Sequence, residues 1–131
     1  MPNLNDLFLE FDKKISLKKV YKQKITRGRD ALRTKISNKF SEKGRNKPKY
    51  CTQCSYAMNT AAMPLDGDAF DLDHGIYLQG YSTMQLTWPS TQSVHSWVKE
   101  AVNGHTSNPL VHKNTCVRVV YEDKYHIDLP I

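Results

Sequence analysis

The sequence predicts an α/β (α+β) domain, in which a mixed β-sheet carries helices packed on it. Four short runs, at 49–53, 69–79, 115–121 and 125–130, have the length and composition of β-strands. Two longer stretches instead repeat apolar residues at steps of three and four, as amphipathic helices do. With 131 residues, of which 39% are hydrophobic, the chain has the size of one domain with a modest core.

The first long helix is predicted from Leu17 to Phe40, after a short helical lead-in from Asn5 to about Lys14. Gly28 is expected to be a weak point, because glycine lowers helix stability. The apolar positions of this helix are Leu17, Val20, Tyr21, Ile25, Ala31, Leu32, Ile36 and Phe40. Its other face is basic and carries Lys18, Lys22, Arg29, Arg33 and Lys39.

The second long helix is predicted over 91–103, after Trp88-Pro89-Ser90 and before Asn103-Gly104. The stripe expected to be buried consists of Val94, Trp97, Val98, Ala101 and Val102. The next stretch, 105–114, is polar and predicts a loop. Residues 122–124 are expected to join the last two strands as a hairpin.

Two carboxylates in an apolar strand, Asp71 and Asp73, are spaced so that both lie on one face. Adjacent acids repel each other and lose hydration there, so they need a cation. Asp128 lies in a similar run and points away from the side of Ile127 and Leu129. If the two strands are neighbours, the three acids converge on a pair of Mg²⁺ (or Mn²⁺) ions. The alternative is an exposed strand face or a turn.

A strand over 49–53 followed by a short helix over 55–61 predicts a phosphate-binding junction. Free backbone N–H groups and the positive end of the helix dipole bind phosphate at such a junction. Ser55 could donate its hydroxyl there, or it could only cap the helix. Residues 64–68 predict a turn before the acidic strand.

Histidines and cysteines give no zinc pattern. Among the histidines, His74 is expected to point away from the acid pair, and His126 to share a face with Asp128. The histidines predicted to be surface residues are His95, His105 and His112. The cysteines are Cys51 and Cys54, a single C-x-x-C, and the isolated Cys116, so no disulfide framework is predicted.

Charge divides the chain in two. Residues 1–50 hold 15 Lys/Arg and 5 Asp/Glu, whereas residues 51–131 hold 4 and 8. We therefore divide the domain into a basic helical lead-in, 1–48, and a sheet-containing core, 49–131. The basic half would attract nucleotides, nucleic acid or an acidic partner, or it is simply a solvated helix face. No apolar run approaches the roughly 20 residues that span a membrane, and the odd cysteine count fits the cytoplasm.

The motifs together resemble the bacterial cyclic-oligonucleotide synthases, the cyclic GMP-AMP synthase-like or DncV-like nucleotidyltransferases of the polymerase-β-like superfamily. The resemblance rests on QCSYAMNT at 53–60, PLDG at 64–67, FDLDHGIYL at 70–78 and YHIDLPI at 125–131. It implies a nucleotidyltransferase core in which the second, helical lobe is missing, so that the chain is the N-terminal catalytic part only.

The resemblance also implies a function. It gives ATP, GTP or other nucleoside triphosphates as substrates, Mg²⁺ (or Mn²⁺) as cofactor, and a cyclic di- or oligonucleotide messenger as product. That messenger would activate a downstream effector in anti-phage defence, with no membrane partner and with nucleic acid not favoured. The residues implied to be catalytic and metal-binding are Asp71, Asp73 and Asp128. The residues implied to bind the nucleotide are Gln53, Cys54, Ser55 and Met58.

Two departures from the family pattern lead to an alternative function. Cys54 stands where the family has glycine, and a side chain there could crowd the triphosphate. The chain also ends three residues after Asp128, where family members continue. The alternative is a truncated, catalytically impaired module that binds nucleotide, RNA or a protein partner.

Overall fold

The computed structural model describes residues 3–16, 18–52, 69–122 and 125–131. Its described helices are α1 (Leu4–Ile15), α2 (Lys19–Glu42) and α3 (Thr91–Val102), with a 3₁₀ helix at Gln85–Thr87. Its described strands are β1 (Lys49–Thr52), β2 (Phe70–Tyr77), β3 (Val111–His112), β4 (Cys116–Tyr121) and β5 (Tyr125–Pro130). Within these ranges, no helix combines the length and the apolar character that crossing a bilayer requires.

The strands form one mixed sheet in the order β1-β2-β5-β4-β3. β2 and β5 run parallel, whereas the other neighbouring pairs are antiparallel. The four strands predicted from the sequence are confirmed, and β4 and β5 pair as the predicted hairpin. The loop predicted over 105–114 is wrong in part, because Val111 and His112 pair with β4 as a short edge strand.

One face of the sheet is buried beneath α2 and α3. The buried apolar side chains of the two helices include Ile25, Leu32, Ile36, Phe40, Val98 and Val102. Those of the sheet include Leu72, Ile76, Val117, Val119, Ile127 and Leu129. Burying each such side chain stabilises the fold by roughly 1.5–3 kcal/mol relative to leaving it in water. Because side chains alternate along a strand, the residues between these point to the opposite face.

The helix α2 continues through Gly28, so the predicted weak point is not a break. A Cβ at this position would lie 3.1 Å from the hydroxyl oxygens of both Tyr121 and Tyr125, so the two tyrosines would have to move by a few tenths of an ångström to admit it. The two tyrosine rings stack on each other with centroids 4.3 Å apart. Val20 and Ala31, predicted to be on the apolar face, are exposed. Both lie off the stripe that the buried residues of α2 define.

The helix α3 begins at its cap Ser90, whose hydroxyl oxygen accepts a hydrogen bond from the backbone N–H of Ser93 at 3.1 Å. Its predicted apolar stripe faces the core. The prediction that His95 is a surface residue is wrong, because only 3% of it is exposed. Its Nδ1 lies 3.0 Å from Nε2 of His112, which the edge strand β3 brings beside the helix. His105, also predicted at the surface, is partly buried.

Candidate functional site

The three predicted acids lie on the face of the sheet opposite the helices. In the parallel register of β2 and β5, Asp73 pairs with Asp128 and Asp71 pairs with His126. Residues paired in this way project their side chains to the same side of the sheet. The structure therefore brings Asp71, Asp73 and Asp128 to one face, as the sequence predicts. Asp71 is exposed, Asp73 is partly buried and Asp128 is buried.

Arg118 on β4 joins two of these carboxylates. Its Nε donates to Oδ1 of Asp128 at 2.7 Å and its Nη2 donates to Oδ2 at 2.9 Å, which is a bidentate ion pair. The same Nη2 lies 3.4 Å from Oδ2 of Asp71. Lys113 adds a second positive charge, with its Nζ 3.7 Å from Oδ2 of Asp128. Asp128 is thus already neutralised by the protein itself.

These contacts determine the protonation of the pair. Burial alone would raise the pKa of Asp128, but the hydrogen bonds and the charge of Arg118 outweigh it, so the pKa is lowered from its ordinary value. In return, the hydrogen bond to Asp128 raises the pKa of the Arg118 guanidinium further above neutrality. At neutral pH the carboxylate and the guanidinium are therefore both charged.

His126 lines the same face, as predicted from its spacing to Asp128. Its Nδ1 lies 2.7 Å from Oδ1 of Asp71. His74 lies on the opposite face and is fully buried, which confirms that it points away from the acid pair. The acid-bearing face therefore contains an imidazole as well as a guanidinium beside its carboxylates.

The donor chemistry of this face suits a divalent cation, because carboxylate oxygens are the ligands that Mg²⁺ prefers. In the part of the chain that the structure describes, however, no group of three His, Cys, Asp or Glu side chains is close enough to hold a metal ion. Arg118 also donates a hydrogen bond to each carboxylate oxygen of Asp128. A cation at Asp128 would therefore compete with the positive charge of the guanidinium. The metal-binding role of the three acids stays a prediction.

The nucleotide-binding residues predicted from the sequence, Gln53, Cys54, Ser55 and Met58, lie outside the described residues. The same holds for the short helix predicted over 55–61 and the turn at 64–68. The structure does give the strand that leads into them, because β1 ends at Thr52 and pairs antiparallel with β2. Thr52 is the register partner of His74, the residue directly after Asp73.

Arg118 is the residue of this face that the sequence interpretation missed. A signal for it was present, because it is a single charge among apolar residues of β4. The predicted hairpin turn at 122–124 also fixes the register of the two strands. Counting back equally from that turn pairs Arg118 with Asp128, as observed.

A separate cavity of about 490 Å³ opens at the other end of β2. Its lining is largely apolar and aromatic and includes Tyr77, Tyr81, Trp88 and His95. None of the three acids lines it, so it is distinct from the acid-bearing face.

The comparisons with known proteins agree with this geometry. The family described as "Cyclic GMP-AMP synthase DncV-like, nucleotidyltransferase domain" matches residues 48–131, which is more than half of the chain. The match covers all five strands and α3.

Solved structures share the fold. CdnG, a CD-NTase of Bradyrhizobium diazoefficiens in complex with GTP, has a TM-score of 0.76 and 19% identity, over 98% of this chain and 37% of its own. DncV of Vibrio cholerae with the linear intermediate 5′ pppA(3′,5′)pG has a TM-score of 0.71 and 18% identity, over 92% and 47%. DncV of Escherichia coli in its 3′-deoxy GTP bound form has a TM-score of 0.71 and 17% identity, over 99% and 50%.

This chain thus spans half or less of the length of these solved structures. At such identities the likeness shows the fold, whereas the family match covers the strands that carry Asp71, Asp73 and Asp128. The mixed sheet, the shared face of the three acids and the matched family agree with one another. The chain belongs to the DncV-like nucleotidyltransferase domain family of cyclic GMP-AMP synthases.

Proposed function

We propose that this protein is a metal-dependent nucleotidyltransferase that joins nucleoside triphosphates into a cyclic di- or oligonucleotide. The observation that carries the proposal is the register of β2 and β5, which sets Asp73 beside Asp128 and on the same face as Asp71. Family membership supports the reaction class. The relatives hold GTP, 3′-deoxy GTP or a linear dinucleotide intermediate, which supports nucleoside triphosphates as substrates.

In this proposal Asp71, Asp73 and Asp128 hold Mg²⁺ or Mn²⁺, which, when bound, would stabilise the charge that develops on the phosphoryl oxygens. The protein residues have their own tasks. Asp128 would accept the proton of the attacking hydroxyl, but only after Arg118 withdraws from both of its oxygens. Ser55 and the neighbouring Gln53, Cys54 and Met58 would hold the nucleotide.

The released guanidinium of Arg118 would remain within reach of Asp71, because its Nη2 already lies 3.4 Å from Oδ2 of that residue. It could then balance the negative charge of the incoming triphosphate, because guanidinium groups match phosphate oxygens in geometry. The cyclic product would act on an effector in anti-phage defence, in the cytoplasm, as the family resemblance implies.

A second function is favoured by one observation, which is that Asp128 is already paired with Arg118 and Lys113. A carboxylate whose charge the protein compensates needs no metal. The protein would then be a module that binds nucleotide, RNA or a protein partner without turnover. Cys54, in place of the family's glycine, favours the same alternative.

The experiment that separates the two is an incubation with labelled ATP and GTP, with Mg²⁺ or Mn²⁺, followed by resolution of the products. We expect pyrophosphate and a cyclic product from the wild type. Asp73→Asn should abolish turnover, because a neutral amide does not balance a divalent cation. Glu100→Gln is the matched control, since this exposed acid of α3 forms ion pairs with Lys39 and Lys43, away from the acid-bearing face.

Equal turnover by the wild type and Asp73→Asn would contradict the proposal. Binding of nucleotide by the wild type without any product, in either metal, would favour the module.

A further inference from the structure

His74 is a fully buried histidine that the proposed reaction does not use. It follows Asp73 in β2 but projects to the opposite face, into the layer beneath α2. Its ring stacks on that of Tyr50, with centroids 5.6 Å apart and an interplanar angle of 7°. A buried imidazole in such a position must have both of its ring nitrogens satisfied.

Both ring nitrogens of His74 have partners, and these fix its tautomer. Arg33 donates from Nε to Nε2 of His74 at 2.9 Å, so Nε2 carries a lone pair and no proton. The proton of the neutral ring is therefore on Nδ1, which lies 3.2 Å from the hydroxyl oxygen of Thr52. Burial, with the charges of Arg33 and Arg29, lowers the pKa of His74 to about 4, so the ring is neutral at physiological pH.

The hydroxyl of Thr52 receives a second hydrogen bond. Arg29 donates to it from Nη1 at 3.4 Å. With two donors on its oxygen, the hydroxyl must point its own hydrogen elsewhere. Thr52 is the last residue of β1, and the chain continues from it directly into Gln53-Cys54-Ser55. Thr52 is therefore the described residue nearest in sequence to the proposed nucleotide-binding residues.

We propose that His74 is a positioning residue that ties the end of β1 to the strand of Asp71 and Asp73. The strand β2 then carries the carboxylates on one face and, on the other, the imidazole of His74 that contacts Thr52 at the end of β1. The ring of His74 thus adds a side-chain link to the backbone pairing of β1 with β2. This inference rests on the proposed function. It assigns to His74 the task of holding the end of β1 in register with the strand that carries Asp71 and Asp73.

Two substitutions of similar size separate the two contacts. An asparagine amide reaches the place of Nδ1, so His74→Asn keeps a donor to Thr52 and loses the contact with Arg33. A glutamine amide reaches the place of Nε2, so His74→Gln keeps an acceptor for Arg33 and loses the contact with Thr52. Each variant leaves one contact unmade, so both should lose similar thermal stability.

Nucleotide binding should separate them. We expect His74→Gln to raise the Kd for GTP or ATP, with Mg²⁺, about threefold to tenfold, the range that one lost hydrogen bond supplies. His74→Asn should stay near the wild type. In turnover, the loss should appear in KM more than in kcat, because the turn seats the ground-state triphosphate.

A double substitution tests whether the effect of His74 on nucleotide binding passes through Thr52. Thr52→Val alone should raise the same Kd to a similar extent, and adding His74→Gln to it should cause no further loss. His95→Gln is the matched control, because it removes one hydrogen bond of another buried histidine, which lies away from the acid-bearing face. It should lower the melting temperature and leave the Kd unchanged.

The outcomes are distinct. Equal Kd values for His74→Asn and His74→Gln, or additive effects of Thr52→Val and His74→Gln, would overturn the inference and leave the proposed function standing. Absence of nucleotide binding by the wild type would overturn both. If the His74 variants do not fold, Thr52→Val decides alone, and an unchanged Kd for it contradicts the inference.

Discussion

Replacing Arg118 with glutamine should destabilise the protein when no metal is present. The substitution removes both hydrogen bonds to Asp128 and leaves that carboxylate with Lys113 at 3.7 Å. Breaking a fully buried ion pair costs about 3–5 kcal/mol, whereas an exposed pair contributes about 0–1 kcal/mol. The side chains of Arg118 and Asp128 are 18% and 11% exposed. We therefore expect a loss of about 2 kcal/mol, which is roughly 6 °C in Tm for a domain of this size.

A divalent cation should reverse the loss. In the wild type a metal ion would compete with the guanidinium for Asp128, but in Arg118→Gln the carboxylates have lost that competitor. Mn²⁺ should therefore bind the variant more tightly and raise its Tm by more than it raises that of the wild type. Thermal melts with and without Mn²⁺, together with titration calorimetry, measure both effects.

Arg27→Gln is the control for this experiment, because Arg27 is an exposed arginine of α2. It should change neither the Tm nor the response to Mn²⁺. If Arg118→Gln has the same Tm as the wild type in the absence of metal, the ion-pair reasoning is refuted. A variant that is destabilised but binds Mn²⁺ no better would refute the competition between guanidinium and metal.

Three further predictions follow from single positions. Because the pKa of Asp128 is lowered on folding, its contribution to stability is complete above its unfolded value of about 4 and is lost as the pH falls through the lowered folded value. In this acidic range, the free energy of unfolding should therefore fall more steeply with decreasing pH for the wild type than for Arg118→Gln. Gly28→Ala should cost about 1 kcal/mol in chemical unfolding, instead of the gain usual in a helix, because its Cβ would crowd the hydroxyls of Tyr121 and Tyr125 at 3.1 Å; a gain would refute this. Cys54→Gly should raise nucleotide affinity or turnover roughly tenfold to a hundredfold if the turn is strained, and a fall would contradict the family-based interpretation of that position.

The strands and the second long helix could be predicted because their patterns are local. Alternation in β2 and β5 separates Leu72 and Ile127 from the acids, and this alone assigns the acids to a face. The stripe of α3 is equally regular. Each of these inferences needs only the period of the element and its end signals.

Pairing between distant strands is not a local property. Nothing in the two strand sequences specifies that β2 lies parallel to β5 and not beside β4. The prediction that the acids converge therefore had to assume that their two strands are neighbours, which the structure shows. The two-residue strand β3 is too short for any period, and the burial of His95 depends on it, because His112 supplies the partner.

The register of the predicted hairpin places Arg118 opposite Asp128, but residue type does not predict that this pair is buried. Arg118 and Asp128 are both ordinary charged residues, and a surface location would suit either. Their burial follows from the sheet around them, and the strength of their contact follows from that burial. The same holds for His74, whose role depends on Arg33 and Thr52 from two other elements.

The parallel pairing of β2 with β5 has a consequence for how the protein folds. Asp71 and its partner His126 are 55 residues apart in the sequence, so their contact closes a long loop. Closing so long a loop costs entropy before any contact compensates it, so this pairing should form late and slowly. The β4–β5 hairpin, whose strands are close in sequence, can form early and already pairs Arg118 with Asp128. During refolding, that carboxylate would thus meet its internal cation before it meets Asp73, and premature capture of divalent ions by a half-assembled sheet would be suppressed.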